Sequence, residues 1–161
     1  MISISCDLFN QMVEVKQITG DITLVTDAIL VHQCNCVTKY GKGLSESMFR
    51  RFPEANTYIR RREPSVPGTY DRIGNVVNLY GQYKPGGCSG SETAVRREQW
   101  FQQALNHLSA ELATGGQVKV AFPYGIGCGL ARGNWSHYYE MIVEFARSLP
   151  ISSEVYIYRL P

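Results

Sequence analysis

The sequence predicts an α/β domain, with a mainly parallel or mixed sheet covered by helices on both faces. Three observations predict it. Short apolar runs of strand length alternate with longer segments whose apolar residues recur at helical spacing. One run, residues 28–31, is apolar throughout, as strands buried on both faces are. Two glycine-bearing loops follow directly on such runs, one after Val31 and one after Phe122. Sheets of this class bind ligands in the crevice beyond the carboxyl ends of their strands.

Taken in order, Ile2-Ser3-Ile4-Ser5-Cys6 alternates with a period of two and reads as a strand. Residues 12–18, with Val13 and Val15, read as a second strand, followed by Gly20-Asp21-Ile22-Thr23. Residues 28–31 are the buried strand. The chain then turns polar at His32, Gln33 and Asn35 and reaches a glycine pair, Gly41 and Gly43. Leu44, Met48, Phe49 and Phe52 make one helical stripe, which Pro53 interrupts. Tyr58 and Ile59 continue an apolar side. Arg60, Arg61 and Arg62 behind them read as a solvated helix end, where basic side chains oppose the helix dipole.

Residues 63–69 hold Pro64, Pro67 and Gly68 and form a loop. Residues 75–80 read as a strand. Residues 84–91, with Pro85, Gly86, Gly87 and Gly90, are the most flexible-looking segment by composition. Phe101, Ala104, Leu105, Leu108 and Leu112 give a core-facing helical stripe that Gly115-Gly116 ends. Val118, Val120 and Phe122 form a further strand. The second glycine loop follows over residues 123–134. Tyr138, Met141, Ile142, Phe145, Ala146 and Leu149 make the cleanest amphipathic helix, stopped by Pro150. Val155, Ile157 and Leu160 suggest a last strand. No internal repeat or boundary divides the 161 residues, so a single domain over residues 1–161 is expected.

Composition narrows the function classes. Hydrophobic residues are 44% and charged residues 19%, an ordinary globular balance. The net charge of +2 does not by itself argue for nucleic acid. No apolar run reaches the length of a membrane span, and no basic segment precedes a long apolar core at the N-terminus. The five cysteines, Cys6, Cys34, Cys36, Cys88 and Cys128, are odd in number and form no Cys-x-x-Cys. Free thiols in a reducing, cytoplasmic setting are expected. With three scattered histidines, no metal site or cofactor is expected.

A strand running into a glycine loop and a helix N-terminus is suited to an anion, because bare loop amides and the helix dipole favour negative charge. Here the arrangement occurs twice, and two such loops at one sheet edge could clamp a diphosphate.

The same residues resemble a known family. Gly20-Asp21-Ile22 after an early strand matches one element of its pattern. Asn35 six residues before Gly41-Lys42-Gly43 matches a second. Pro123-Tyr124-Gly125-Ile126-Gly127-Cys128-Gly129-Leu130 matches the third. In this order and spacing the chain resembles the macrodomain, a three-layer α/β/α module with a central mixed sheet that binds ADP-ribose. The second loop and Trp135 look most like the terminal ADP-ribose glycohydrolase and phage branch. His32-Gln33-Cys34-Asn35-Cys36 looks like the loop of the ADP-ribose-1″-phosphate phosphatases.

The resemblance implies roles residue by residue. Asp21 would accept a hydrogen bond from the adenine amine, and Ile22 would offer backbone and apolar surface to the base. The alternative for Asp21 is a turn or helix cap. Asn35 would bind the distal ribose; its alternative is a turn-stabilising Asn. Gly41, Lys42, Gly43 and Leu44 would approach the distal ribose and the adjoining phosphate. Gly127, Cys128, Gly129, Leu130 and Ala131 would give amides to the diphosphate, with the Cys128 thiol as filler rather than nucleophile. The glycohydrolases carry a lysine after the middle strand and an aspartate in the second loop. The corresponding positions are Gln82 and Ala131, with Lys84 two residues beyond the first.

His32 and Asn35 are therefore the candidate catalytic pair, His32 for its titration near neutral pH. The alternative for His32 is a buried, hydrogen-bonded strand histidine. The expected activity is hydrolysis of ADP-ribose-1″-phosphate to ADP-ribose and phosphate. The competing readings are a non-catalytic ADP-ribose reader and a de-ADP-ribosylating glycohydrolase. Expected partners are ADP-ribose or ADP-ribose-1″-phosphate, with an ADP-ribosylated protein as a further candidate and no membrane. A weaker alternative is nucleic acid bound through Arg50, Arg51, Arg60, Arg61 and Arg62.

Overall fold

A computed structural model describes residues 12–161 of the chain. The strand expected over residues 2–6 lies outside the described residues, as does Cys6. Six strands are described: β1 (Val15–Thr19), β2 (Ile29–Gln33), β3 (Tyr70–Ile73), β4 (Val76–Leu79), β5 (Lys119–Pro123) and β6 (Glu154–Arg159). Four α-helices join them: α1 (Leu44–Arg51), α2 (Thr57–Arg60), α3 (Ala94–Leu112) and α4 (Trp135–Arg147). The sheet order is β1-β6-β5-β2-β4-β3. Every neighbouring pair is parallel except β3 and β4. The sheet is therefore mixed, as expected.

Alternation along β2 explains the three layers. Ile29 and Val31 join one core cluster, with Val120 and Phe122 of β5 and the buried stripes of α3 and α4. Leu30 points the other way, with Ala121, onto Met48 of α1. Below it Cys34, Cys36, Phe49, Tyr58 and Tyr80 form a third cluster at the end of the strands. Each fully buried leucine or phenylalanine contributes about 1.5–3 kcal/mol. Leu30, Phe101, Leu105, Leu108 and Phe122 are all at most 1% exposed.

Strand β3 lies between the expected loop over residues 63–69 and the expected strand over residues 75–80, where the pattern predicts no element. It pairs antiparallel with β4, Arg72 opposite Val77, through a two-residue turn. Gly74 occupies that turn with φ of 60°, a conformation that glycine adopts without strain. The arginine cluster also departs from expectation. Arg60 and Arg62 are exposed, but Arg61 is only 9% exposed. Its guanidinium lies 4.5 Å from the centre of the Tyr58 ring and its Nη2 donates to Asn35 O at 3.1 Å. A cation stacked on an aromatic face can be buried where a solvated one cannot. Among the described residues no helix is long and apolar enough to cross a membrane.

Candidate functional site

Strands β2 and β5 are parallel neighbours, so the loops at their carboxyl ends leave the same edge of the sheet. Between them opens a cleft of about 740 Å³, within the range of small-molecule sites. One wall is His32, Gln33, Asn35, Lys42, Gly43, Leu44 and Ser45; the opposite wall comes from residues 123–127 and 129–132. Pro85, Gly86 and Gly87 close a third side. A smaller cavity of about 320 Å³ shares Leu44, Pro123 and Tyr124 with it. That cavity holds Asp21 and Ile22, with Tyr158 and Arg159 of β6. The candidate residues from all three sequence motifs thus meet along one edge.

The loops present hydrogen-bond donors. The amides of Gly127, Gly129, Leu130 and Ala131 donate to no acceptor among the described residues. The amide of Cys128 is an exception among the expected donors, because it closes a turn on Gly125 O at 2.8 Å. Cys128 is outside the cleft lining. Its thiol turns onto Ile126 O at 3.3 Å, and burial pushes its pKa up to about 11. Helix α1 starts at Gly43, with φ of 60° and no side-chain cap, which leaves its first amides for a ligand or water. Gly41 lies beneath that turn: a Cβ there would sit 2.8 Å from Glu46 N. A Cβ on Gly43 would sit 3.6 Å from Leu130 Cδ1, so the two loops face each other across the cleft.

The charge of the cleft is one-sided. Lys42 and Arg132 line it, and no aspartate or glutamate does among the described residues. Lys84 is exposed and outside the lining. Arg132, with φ of 59°, reaches from the second loop toward Gly87.

Asn35 takes the turn-stabilising role that was its alternative. Its Oδ1 accepts from Val37 N at 3.0 Å, Thr38 N at 2.9 Å and Thr38 Oγ1 at 3.1 Å, which fixes the turn. That leaves Nδ2, on a residue of the cleft wall, with no partner among the described residues. Asp21 likewise caps the turn at Ile22–Leu24, its Oδ1 accepting from Thr23 N at 2.9 Å and Thr23 Oγ1 at 2.7 Å. The cap leaves Oδ2 for the smaller cavity.

His32 is 1% exposed. It stands opposite Asn78 in the β2–β4 register, and its Nε2 lies 2.6 Å from Asn78 Oδ1. Phe49 packs edge-on against the ring at 5.3 Å. Desolvation lowers its pKa to about 4, although the Asn78 bond acts the other way. The ring is therefore neutral in the free protein near pH 7. Cys34 and Cys36 are buried behind it, and desolvation raises both thiols to about 12. The four described cysteines are all free.

Several cleft residues carried no site assignment from the sequence, among them Gln33, Ser45 and Arg132. Gln33 Nε2 donates to Gln82 Oε1 at 2.7 Å, and Gln82 Nε2 donates to Lys84 O at 2.8 Å. This chain of amides joins the ends of β2 and β4. The one signal for Ser45 was its position directly after the Gly-Lys-Gly-Leu turn.

No protein-family model matches the sequence, and no curated protein sequence matches it. Solved structures do resemble it. The macrodomain of Mycobacterium tuberculosis DarG superposes with a TM-score of 0.70 at 22% identity, covering 91% of this chain and 97% of that one. Thermosipho africanus DarTG in complex with ADP-ribose gives 0.66 at 17% identity, over 92% of this chain and 42% of that one. The Oceanobacillus iheyensis macrodomain with ADP gives 0.63 at 14% identity, over 91% and 83%. The fold of this chain is that of the macrodomains.

Proposed function

We propose that the protein binds ADP-ribose in the cleft between the two glycine loops and hydrolyses ADP-ribose-1″-phosphate to ADP-ribose and phosphate. One observation carries the reading. The cleft is lined by unbonded amides from two facing loops, with Lys42 and Arg132, and without a carboxylate among the described residues. Such a lining favours an anion with several oxygens over a neutral or cationic ligand. Structural relatives bound to ADP-ribose and to ADP lend support to the identity of that anion.

The adenine end would occupy the smaller cavity, with the free Asp21 Oδ2 as acceptor for the exocyclic amine. Asn35 Nδ2 would donate to a hydroxyl of the distal ribose. The phosphatase is preferred to a glycohydrolase because the positions expected to hold a lysine and an aspartate are Gln82 and Ala131. Gln82 is held by its neighbours, and Ala131 has no titratable group. With no carboxylate base at hand, positioning by the loops and proton transfer through the His32 side of the cleft would carry the catalysis.

The burial of His32 favours a second reading, a reader that binds ADP-ribose without turnover. One experiment separates the two. The protein is incubated with ADP-ribose-1″-phosphate and released phosphate is measured, with ADP-ribose binding followed by calorimetry. Phosphate release together with saturable binding supports the enzyme; binding without release over hours supports the reader. Binding of ADP-ribose no tighter than that of GMP would reject both.

A further inference from the structure

We propose that Ser45 is the catalytic group through which His32 acts, the last member of a proton relay that runs from Asn78 through His32 to the cleft. The inference rests on the hydrolase reading of the cleft and names the residue that would touch the reacting water.

The hydrogen-bond directions follow from the partners. Asn78 is 0% exposed. Its Nδ2 donates to Ala55 O at 2.8 Å and Thr57 Oγ1 at 3.2 Å, so its Oδ1 must face His32. That oxygen can only accept. Nε2 of His32 therefore carries the hydrogen across the 2.6 Å contact, and Nδ1 is left with a lone pair. Ser45 Oγ lies 3.5 Å from that nitrogen. Its other acceptor within reach is Gln33 O at 3.4 Å, so the hydroxyl hydrogen can swing between the two. Ser45 lines the cleft beside His32 and is 9% exposed, against 1% for His32. Its hydroxyl therefore joins the buried Nδ1 to the cleft.

Helix α1 sets the position of Ser45, since the residue is in the first turn beside the uncapped amides. A phosphate held by those amides would lie within reach of Oγ. Its charge would favour the imidazolium that burial disfavours in the free protein. Loose contacts of this kind commonly tighten when substrate binds.

The step balances without a metal or a redox partner. Water attacks phosphorus and gives its proton to Ser45 Oγ while the serine proton passes to His32 Nδ1. The imidazolium is held by its Nε2–H bond to Asn78 Oδ1. The bond from phosphorus to the anomeric oxygen breaks. That oxygen takes a proton from Ser45, which is reprotonated by His32. The sum is phosphomonoester plus water giving alcohol plus phosphate, with the relay restored.

The test compares wild type, Ser45→Ala, Ser45→Thr, His32→Gln and the double variant Ser45→Ala/His32→Gln. Phosphate release from ADP-ribose-1″-phosphate gives kcat and KM, and calorimetry gives the ADP-ribose Kd. Ser45→Ala should lose kcat by ~10²–10⁴-fold, the usual worth of positioned proton transfer, with Kd within about threefold of wild type, since the group works in the transition state. Ser45→Thr keeps a hydroxyl and should recover kcat to within about tenfold of wild type. The double variant should be no slower than Ser45→Ala alone, because residues acting in series are not additive. Full kcat in Ser45→Ala, with an active wild type, overturns the relay and leaves the hydrolase. A wild type that binds ADP-ribose but releases no phosphate overturns the hydrolase, and the relay with it.

Discussion

Arg97 and Glu92 meet at 2.7 Å in the interior, 2% and 5% exposed at their side chains, and together they hold two walls of the cleft. Glu92 accepts from the amides of Tyr83 at 3.1 Å and Lys84 at 3.0 Å. Arg97 donates to Lys84 O, Gly86 O and Gly87 O at 3.1, 2.6 and 3.3 Å. It reaches across to Ala131 O of the second glycine loop at 3.4 Å. The glycine- and proline-rich segment that composition marks as flexible is thus clasped from beneath by one arginine of helix α3.

Removing one partner of this pair leaves the other buried and charged. Arg97→Met should therefore cost ~3–5 kcal/mol of stability, read from urea unfolding. Glu92→Gln keeps the shape and should cost less. Because the arginine ties two cleft walls, ADP-ribose affinity in Arg97→Met should fall as well, at temperatures where the variant is still folded. Unchanged affinity in a folded Arg97→Met would mean that the walls hold their positions without the clasp.

Asn35 allows stability and binding to be separated. Its Oδ1 takes three hydrogen bonds from the turn, while Nδ2 is free on the cleft wall. Asn35→Asp retains the acceptor and replaces the donor with negative charge. It should keep the melting temperature near wild type and weaken ADP-ribose by ~1–3 kcal/mol, the cost of a lost donor in a buried site. Asn35→Ala should lose both. Tight ADP-ribose binding in Asn35→Asp, measured by calorimetry, would remove Nδ2 from the ligand contacts.

Burial of His32 ties stability to pH. In the unfolded chain the ring takes a proton near its ordinary value of 6.5, whereas in the folded protein desolvation holds it neutral down to about 4. Between those values the unfolded state binds the extra proton, so stability falls as pH falls. The contribution is complete above about pH 6.5 and lost by about pH 4, on the order of 3 kcal/mol in all. Urea unfolding at several pH values should show a steeper acid loss in wild type than in His32→Gln. Parallel curves for the two proteins across this window would mean that the buried ring is not what sets the slope.

The architecture was legible because the apolar pattern records it directly. The unbroken run at residues 28–31 marked the central strand, and the stripe from Phe101 to Leu112 marked α3. Strand β3 was not found, because Tyr70-Asp71-Arg72-Ile73 puts two charges in a four-residue run. The signal was there in Gly74-Asn75, a two-residue hairpin turn between that run and the next. The glycine loops could be read for the same reason as the strands, since an amide cradle depends on backbone and little on side chains. Burial of His32 was legible only as an alternative to a catalytic role, because its partner Asn78 is 46 residues away. Arg61 could not be read, because its place depends on stacking against Tyr58. Arg97 did leave a trace: it stands four residues before Phe101 on the buried face of α3. An arginine on an apolar stripe calls for an interior partner.

The second glycine loop offers the sharpest test of the cleft, through two glycines with the same φ and different surroundings. Gly125 and Gly127 both have φ of 73°. An alanine in that conformation costs roughly 1–2 kcal/mol at either position. A Cβ on Gly125 meets nothing within 4 Å, whereas one on Gly127 would sit 2.7 Å from Tyr138 Cε1 and 3.1 Å from Gln33 Oε1. Neither neighbour gives way easily. Tyr138 is 2% exposed and packs edge-on against Phe101 at 4.7 Å. Gln33 is anchored through Gln82. Gly127→Ala must then push the loop outward, adding ~1–3 kcal/mol of overpacking to the backbone term. The displaced loop would also turn the free amides of residues 127 and 129–131 away from the ligand. Gly125→Ala should lose only the backbone term and keep most of its ADP-ribose affinity, while Gly127→Ala should lose more stability and most of its binding. Urea unfolding and calorimetry on both variants check this. Equal losses in the two would show that contact with Tyr138 and Gln33 does not fix the loop.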